Sequence, residues 1–165
     1  MLNPASNPHP FRSVFSNEFC EVIESTATGN KSLHALKEFQ PGDLVSPFGA
    51  SFVSRKPSYL TVQVGIKKHI TLLPQYLQYI NHSCNPNVFF NTTTMELTAL
   101  QPIQPGDEFT FFYPSTEWDM AQPFQCMCNQ PGCLGMINGA ASLSEEVLKR
   151  YKVTDFIAEM LAEKA

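Results

Sequence analysis

Four of the five cysteines constrain this chain more than any other feature. Cys84 sits in the run Asn81-His82-Ser83-Cys84-Asn85-Pro86-Asn87, and Cys126, Cys128 and Cys133 follow much later as Cys-x-Cys-x4-Cys. A Cys-x-Cys pair does not close easily into a disulfide, because adjacent side chains of an extended backbone point apart. One distant thiolate plus a tight group of three supplies instead the four sulfur ligands of a closed tetrahedral zinc site. The odd cysteine number and the absence of an export signal favour a reducing compartment and metal over disulfides. Cys20 is left over as a buried thiol.

At 165 residues the chain is long enough for one domain with a substantial core. Thirteen prolines and thirteen phenylalanines point to many turns around an aromatic interior rather than to long helices. The net charge of −4 disfavours direct nucleic-acid binding and suits a basic partner, although weakly. No run of eighteen apolar residues exists, and the first ten residues are polar and proline-rich. The expectation is therefore an intracellular protein, cytoplasmic or nuclear, without membrane span or secretory signal.

Along the chain, residues 1–12 read as a flexible tail. A first strand is expected at Phe19 to Ile23. Ala35-Leu36-Lys37-Glu38-Phe39-Gln40-Pro41-Gly42-Asp43 is echoed by Ala99-Leu100-Gln101-Pro102-Ile103-Gln104-Pro105-Gly106-Asp107, each Pro-Gly predicting a type II turn between two strands. Tyr59 to Val64 and His69 to Leu73 alternate like paired strands, Pro74 to Tyr79 suits one helical turn, and Val88–Phe90 with Glu96–Leu100 reads as a hairpin. Beyond Cys133, Ser142 with Glu145 forms a capping box, Ser144 is an alternative cap, and Thr154 could cap a second helix. The apolar stripe of these helices is expected to pack on the domain; dimerisation or partner docking is the other use it could serve.

Between the cysteine groups stands Pro105-Gly106-Asp107-Glu108-Phe109-Thr110-Phe111-Phe112-Tyr113. With the Asn-His-Ser-Cys run and the cysteine triplet, it resembles the SET-domain protein lysine methyltransferases that carry a post-SET zinc motif. The resemblance covers roughly residues 20–135. It implies a mainly β fold, the β-clip-like SET fold with its pseudoknot, plus C-terminal helices. It also implies a SET domain over residues 13–117, a post-SET zinc segment over 118–137 and a helical segment over 138–165. Without it, Asn81 to Asn87 is a turn-rich loop whose Asn and Ser side chains cap the backbone locally.

The resemblance carries roles residue by residue. Cys84, Cys126, Cys128 and Cys133 would hold one structural zinc. Lys31, Ser32 and Leu33, Asn81 and His82, and Leu134 over the adenine would bind S-adenosylmethionine, with His82 positioning rather than acting as a base. Tyr113 would be the catalytic hydroxyl that orients an amine for in-line displacement. Phe111, on the same strand face, would leave room for two or three methyl groups, where a tyrosine would restrict transfer to one. In four places the chain departs from the family pattern. Ser32 replaces the second glycine of a Gly-x-Gly turn and must tolerate glycine geometry, at a cost of about 1 kcal/mol or more. Pro47-Phe48 replaces a Tyr-x pair, Gln78 a basic residue, and Phe112 an aspartate.

The expected function is thus S-adenosylmethionine-dependent methylation of a lysine on a histone or another basic protein. Two other uses are open: a non-catalytic module that binds a lysine-bearing partner, and a SET scaffold serving a small-molecule reaction. For the latter, Phe48, Phe111, Phe112, Tyr113 and Trp118 could line an apolar cavity.

Overall fold

The computed structural model describes residues 10–165; most of the expected tail, residues 1–9, lies outside the described residues. Phe11 and Arg12, assigned to that tail, open the first strand. Three small antiparallel sheets carry the core. Strands β1 (Phe11–Ser16), β2 (Cys20–Ser25) and β3 (Lys31–Ala35) form the first in that order. Alternation in β2 and β3 turns Cys20, Val22, Leu33 and Ala35 inward. The second sheet joins β4 (Leu44–Pro47) to β9 (Val88–Asn91) and β10 (Glu96–Ala99), with β10 central. The third places β7 (Lys68–Leu73) between β5 (Gly49–Ser54) and β6 (Thr61–Gly65).

The repeated Pro-Gly segments turn out to be partners. Phe39 and Ile103 form a bridge, with backbone hydrogen bonds of 2.9 Å in both directions. Ala35 N–H donates to the Asp107 carbonyl, and Ala99 N–H donates to the Asp43 carbonyl. Each turn has its glycine at positive φ (Gly42 at 91°, Gly106 at 93°) and its aspartate accepting from the glutamine N–H three residues back at 2.8 Å. Two equivalent strand–turn–strand units thus pair head to tail about a local pseudo-two-fold axis. One core runs through all of this, from Cys20 to Phe111.

Two short pairings then build the region of interest. Strand β8 (Asn81–His82) lies parallel to β11 (Thr110–Phe111), with Asn81 opposite Thr110 and His82 opposite Phe111. Parallel partners need a long crossover, here the β9–β10 hairpin and the second Pro-Gly turn. Asn87 locks the pair: its side chain accepts from Thr110 N–H at 2.8 Å and donates to the Glu108 carbonyl at 2.9 Å. The Asn81 to Asn87 loop therefore uses one polar side chain locally (Ser83, accepting from Asn85 N–H) and sends Asn81, Asn85 and Asn87 across the fold, Asn81 donating to the Lys31 carbonyl and the Glu108 carboxylate. Strands β12 (Phe124–Gln125) and β13 (Met136–Ile137) frame the cysteine triplet.

Helices α1 (Glu145–Leu148) and α2 (Asp155–Lys164) close the chain. Ser144 caps α1 by accepting from Val147 N–H, so the alternative cap is the one used, and Thr154 caps α2. Leu148 and Ile157 are buried with Ala140 against Trp118. The helical stripe packs on the domain, and Gly139 permits it: a Cβ there would sit 2.1 Å from the Trp118 carbonyl oxygen. Among the described residues no helix is long and apolar enough to cross a membrane.

Candidate functional site: a thiol cluster beside two adjoining cavities

The fold brings Cys84 to Cys126, Cys128 and Cys133, with all four sulfurs within 4.8 Å of one another. The Cys84 and Cys126 sulfurs are 3.9 Å apart. A tetrahedral zinc with Zn–S bonds of about 2.3 Å requires sulfurs about 3.8 Å apart, so this donor set fits one metal ion. Backbone N–H groups already serve two sulfurs: Leu134 donates to Cys84 and Cys128 to Cys126, each at 3.4 Å. Burial raises the thiol pKa of Cys84, and that of Cys126 to about 11. Holding both as thiolates at neutral pH takes a metal's positive charge. All five cysteines are free of disulfides, and Cys20 is a fully buried core thiol.

His82 joins this cluster to Tyr113. Tyr113 N–H donates to His82 Nδ1 at 3.1 Å, which puts the ring proton on Nε2, 3.4 Å from the Cys84 sulfur. Burial depresses the imidazole pKa to about 4, so the ring is neutral. It also packs edge-on against Tyr113 and Phe124. A ring whose two nitrogens are engaged in this way orients its neighbours.

Tyr113 begins a short 3-10 turn just past β11 and lies 4.6 Å, ring to ring, from Phe111. Burial, with a smaller contribution from the Glu108 charge, pushes its phenol up to about 12, so it stays protonated at neutral pH. Tyr113 lies where two cavities meet. The larger, about 1210 Å³, is lined by Lys31, Asn81, His82, Glu108 and residues of the cysteine segment. The smaller, about 340 Å³, runs between β6, the 3-10 turn Gln75–Tyr79 and residues 120–124. Both include Tyr59, Leu60, Gln78, Tyr113 and Phe124 in their walls. Of the residues assigned from the sequence, Lys31, Asn81 and His82 face the large cavity and Phe111 the small one. Ser32 and Leu33 do not line the large cavity; Leu33 is fully buried in the core. Leu134 packs on the thiol cluster.

Three of the four departures find physical explanations. Ser32 lies inside β3 paired with Ile23, outside the positive-φ region, so the expected glycine strain does not arise; its hydroxyl is 2.8 Å from His34 Nε2. Phe112 stacks on Tyr151 at 3.6 Å and 7°, and the Tyr151 hydroxyl donates to the Cys84 carbonyl at 2.8 Å. Phe48 packs against Phe90, and Trp118 against the helices. Of the five aromatics expected to line an apolar cavity, only Phe111 and Tyr113 do so. Sequence reasoning missed Tyr151, Gln63 and Glu117. Gln63 accepts from Trp118 N–H through its side chain, while its own N–H donates to the Glu117 carboxylate. No local pattern marks such a clasp between residues far apart in the chain.

Residues 14–114 match the family model of the SET domain. Over 149 residues the chain is 38% identical to methyltransferase flvH of Aspergillus flavus, an alignment covering 89% of this chain and 83% of that protein. It is 28% identical over 111 residues to a histone-lysine N-methyltransferase, H3 lysine-36 specific, of Candida glabrata, covering 64% of this chain and 15% of that protein. Against the enzyme of the same description in Kluyveromyces lactis it is 33% identical over 88 residues, 49% of this chain and 12% of that protein. The chain thus spans most of the first relative and a small part of the two histone enzymes.

Proposed function

Since this chain belongs to the SET-domain family, and its relatives are methyltransferases, we propose that it methylates a lysine of a histone or another basic protein from S-adenosylmethionine, adding up to two or three methyl groups. The observation that carries this proposal is the meeting of a large polar cavity and a small apolar one at Tyr113. S-adenosylmethionine supplies a methyl group on a positively charged sulfur. Lys31, Asn81 and His82 would hold it in the large cavity, with Leu134 near its adenine. The acceptor amine would enter the small cavity beside Phe111. The Tyr113 hydroxyl, which donates to the Ile80 carbonyl at 3.5 Å, would accept a hydrogen bond from that nitrogen, leaving its lone pair aimed across the junction.

One zinc ion bound by Cys84, Cys126, Cys128 and Cys133 would close the segment that walls the large cavity. Its neighbour His82 would pass that order to Tyr113. We assign residues 13–117 to the SET domain, 118–137 to the post-SET segment and 138–165 to a helical segment that braces it. Support for the last comes from the Phe112–Tyr151 stack and the Tyr151 bond to Cys84. The partner is then an exposed lysine on a basic protein, in the nucleus or cytoplasm.

The test is incubation with methyl-labelled S-adenosylmethionine and a panel of histones and cell extract. Label should enter protein with the wild type and almost none with Tyr113→Phe, while cofactor affinity stays nearly unchanged. A wild type that binds cofactor yet labels no protein would refute the protein-lysine assignment.

A further inference from the structure

Glu117 is a buried acid without an explanation in the fold. It lies four residues past Tyr113, to whose carbonyl its N–H donates at 3.1 Å, and only 8% of it is exposed. Its side chain lines the small cavity with Phe111, Tyr113, Val62, Leu77 and Ile80. One carboxylate oxygen accepts from Gln63 N–H at 3.1 Å and from the Thr116 hydroxyl at 3.4 Å. Those bonds tie β6 to the turn, and a glutamine's amide oxygen would make them equally well. The second oxygen accepts no hydrogen bond, and Glu117 has no ion-pair partner, among the described residues. A buried carboxylate facing an apolar cavity without a cation is destabilising, and burial pushes its pKa up to about 8. Retaining an ionisable acid where an amide would serve the structure points to a ligand that supplies the missing cation.

We propose that the Glu117 carboxylate is the cation-binding and proton-accepting group of the small cavity, and that its ligand is the nitrogen of a primary aliphatic amine. The amine enters as an alkylammonium with its chain along Val62, Leu77 and Ile80. The adjacent rings of Phe111 and Tyr113 also favour a cation there. One proton passes from the ammonium to the carboxylate, which leaves a neutral acid and a nitrogen with its lone pair free. This rests on the methyl-transfer proposal above: the nitrogen then forms its bond to the methyl carbon while the C–S electron pair returns to sulfur. The methylated nitrogen is again cationic, so each further transfer needs another proton to leave, once Glu117 has released the previous one to water.

The test uses the full, metal-loaded chain without methyl donor. Butylammonium chloride, its neutral analogue butanol, and N-acetyl-lysine methylamide are titrated by calorimetry into wild type and Glu117→Gln. Butylammonium should bind the wild type about tenfold tighter or better than the variant, the scale of a charge-assisted contact. Butanol should not distinguish them. Equal butylammonium affinity for both proteins would overturn the proposal. Should the variant fail to fold, the carboxyl carbon-13 shift of Glu117 in the wild type gives the answer. It must move with butylammonium and not with butanol; an unmoved signal overturns the proposal. Tighter binding of the lysine amide identifies a peptide side chain as the source, and tighter binding of butylammonium a free amine; either order supports the site. A thermal-shift titration with S-adenosylmethionine on the same samples separates the two proposals. Cofactor binding without amine binding retires Glu117 alone, and amine binding without cofactor binding retires methyl transfer alone.

Discussion

Replacing Glu117 with glutamine should stabilise the ligand-free protein, and increasingly so as the pH rises. Burial lifts this carboxyl from the ordinary glutamate range, about 4.5, to about 8. Between those values the unfolded chain releases the proton while the folded chain keeps it, so folding stability falls as pH climbs through the window. Below about 4.5 both states are protonated, and above about 8 both are ionised, so the dependence levels off at each end. Each pKa unit corresponds to about 1.4 kcal/mol, and a gap of about three and a half units sets an upper figure of about 5 kcal/mol. Water entry and local relaxation reduce this, and about 2–4 kcal/mol is expected. Glutamine cannot ionise, yet it keeps an acceptor for Gln63 N–H and the Thr116 hydroxyl. The titratable neighbour facing Glu117 is Tyr113, which stays neutral across the window. Urea unfolding of both proteins at pH 4.5, 6, 7.5 and 8.5 reads the difference directly. Contributions from the thiol cluster and histidines are common to both and cancel. Parallel stability curves for the two proteins would refute the reasoning.

Freshly reduced protein should contain one zinc per chain by elemental analysis. Chelation, or Cys126→Ser, should raise amide exchange over residues 124–137 and weaken S-adenosylmethionine binding, with the strand core still folded. Phe111→Tyr should keep the first methyl transfer and suppress later ones, because the added hydroxyl would occupy space that a methylated amine needs. Mass spectrometry should then find monomethyl-lysine where the wild type makes di- or trimethyl-lysine.

Much of the fold was legible because it rests on local rules. The paired strands around Gly65, the β9–β10 hairpin and the Thr154 cap follow from alternation, turn chemistry and capping preference, each read within a few residues. The two Pro-Gly turns were legible singly, down to the positive φ of Gly42 and Gly106. Their pairing was not, since it depends on a bridge between Phe39 and Ile103 that no local signal announces. Strand β1 was missed because all six of its residues are exposed, which leaves no inward face to set a period-two pattern. Ser32 was misjudged in geometry because a family glycine was taken to need positive φ, while here the position continues β3 into its pairing with β2.

The site divides in the same way. Cysteine identity and spacing determined the thiol cluster, because few structures other than a metal site gather such donors. The segments around Asn81 and Tyr113 marked in the sequence the place where the two cavities meet. Only the tertiary structure decided that His82 spans from a cysteine sulfur to Tyr113, that Phe112 stacks on Tyr151, and that Glu117 faces the small cavity without a cation. A side chain's sequence neighbours set its backbone conformation. Its burial and its partners are set by residues tens of positions away, and for a titratable group these decide what it can do.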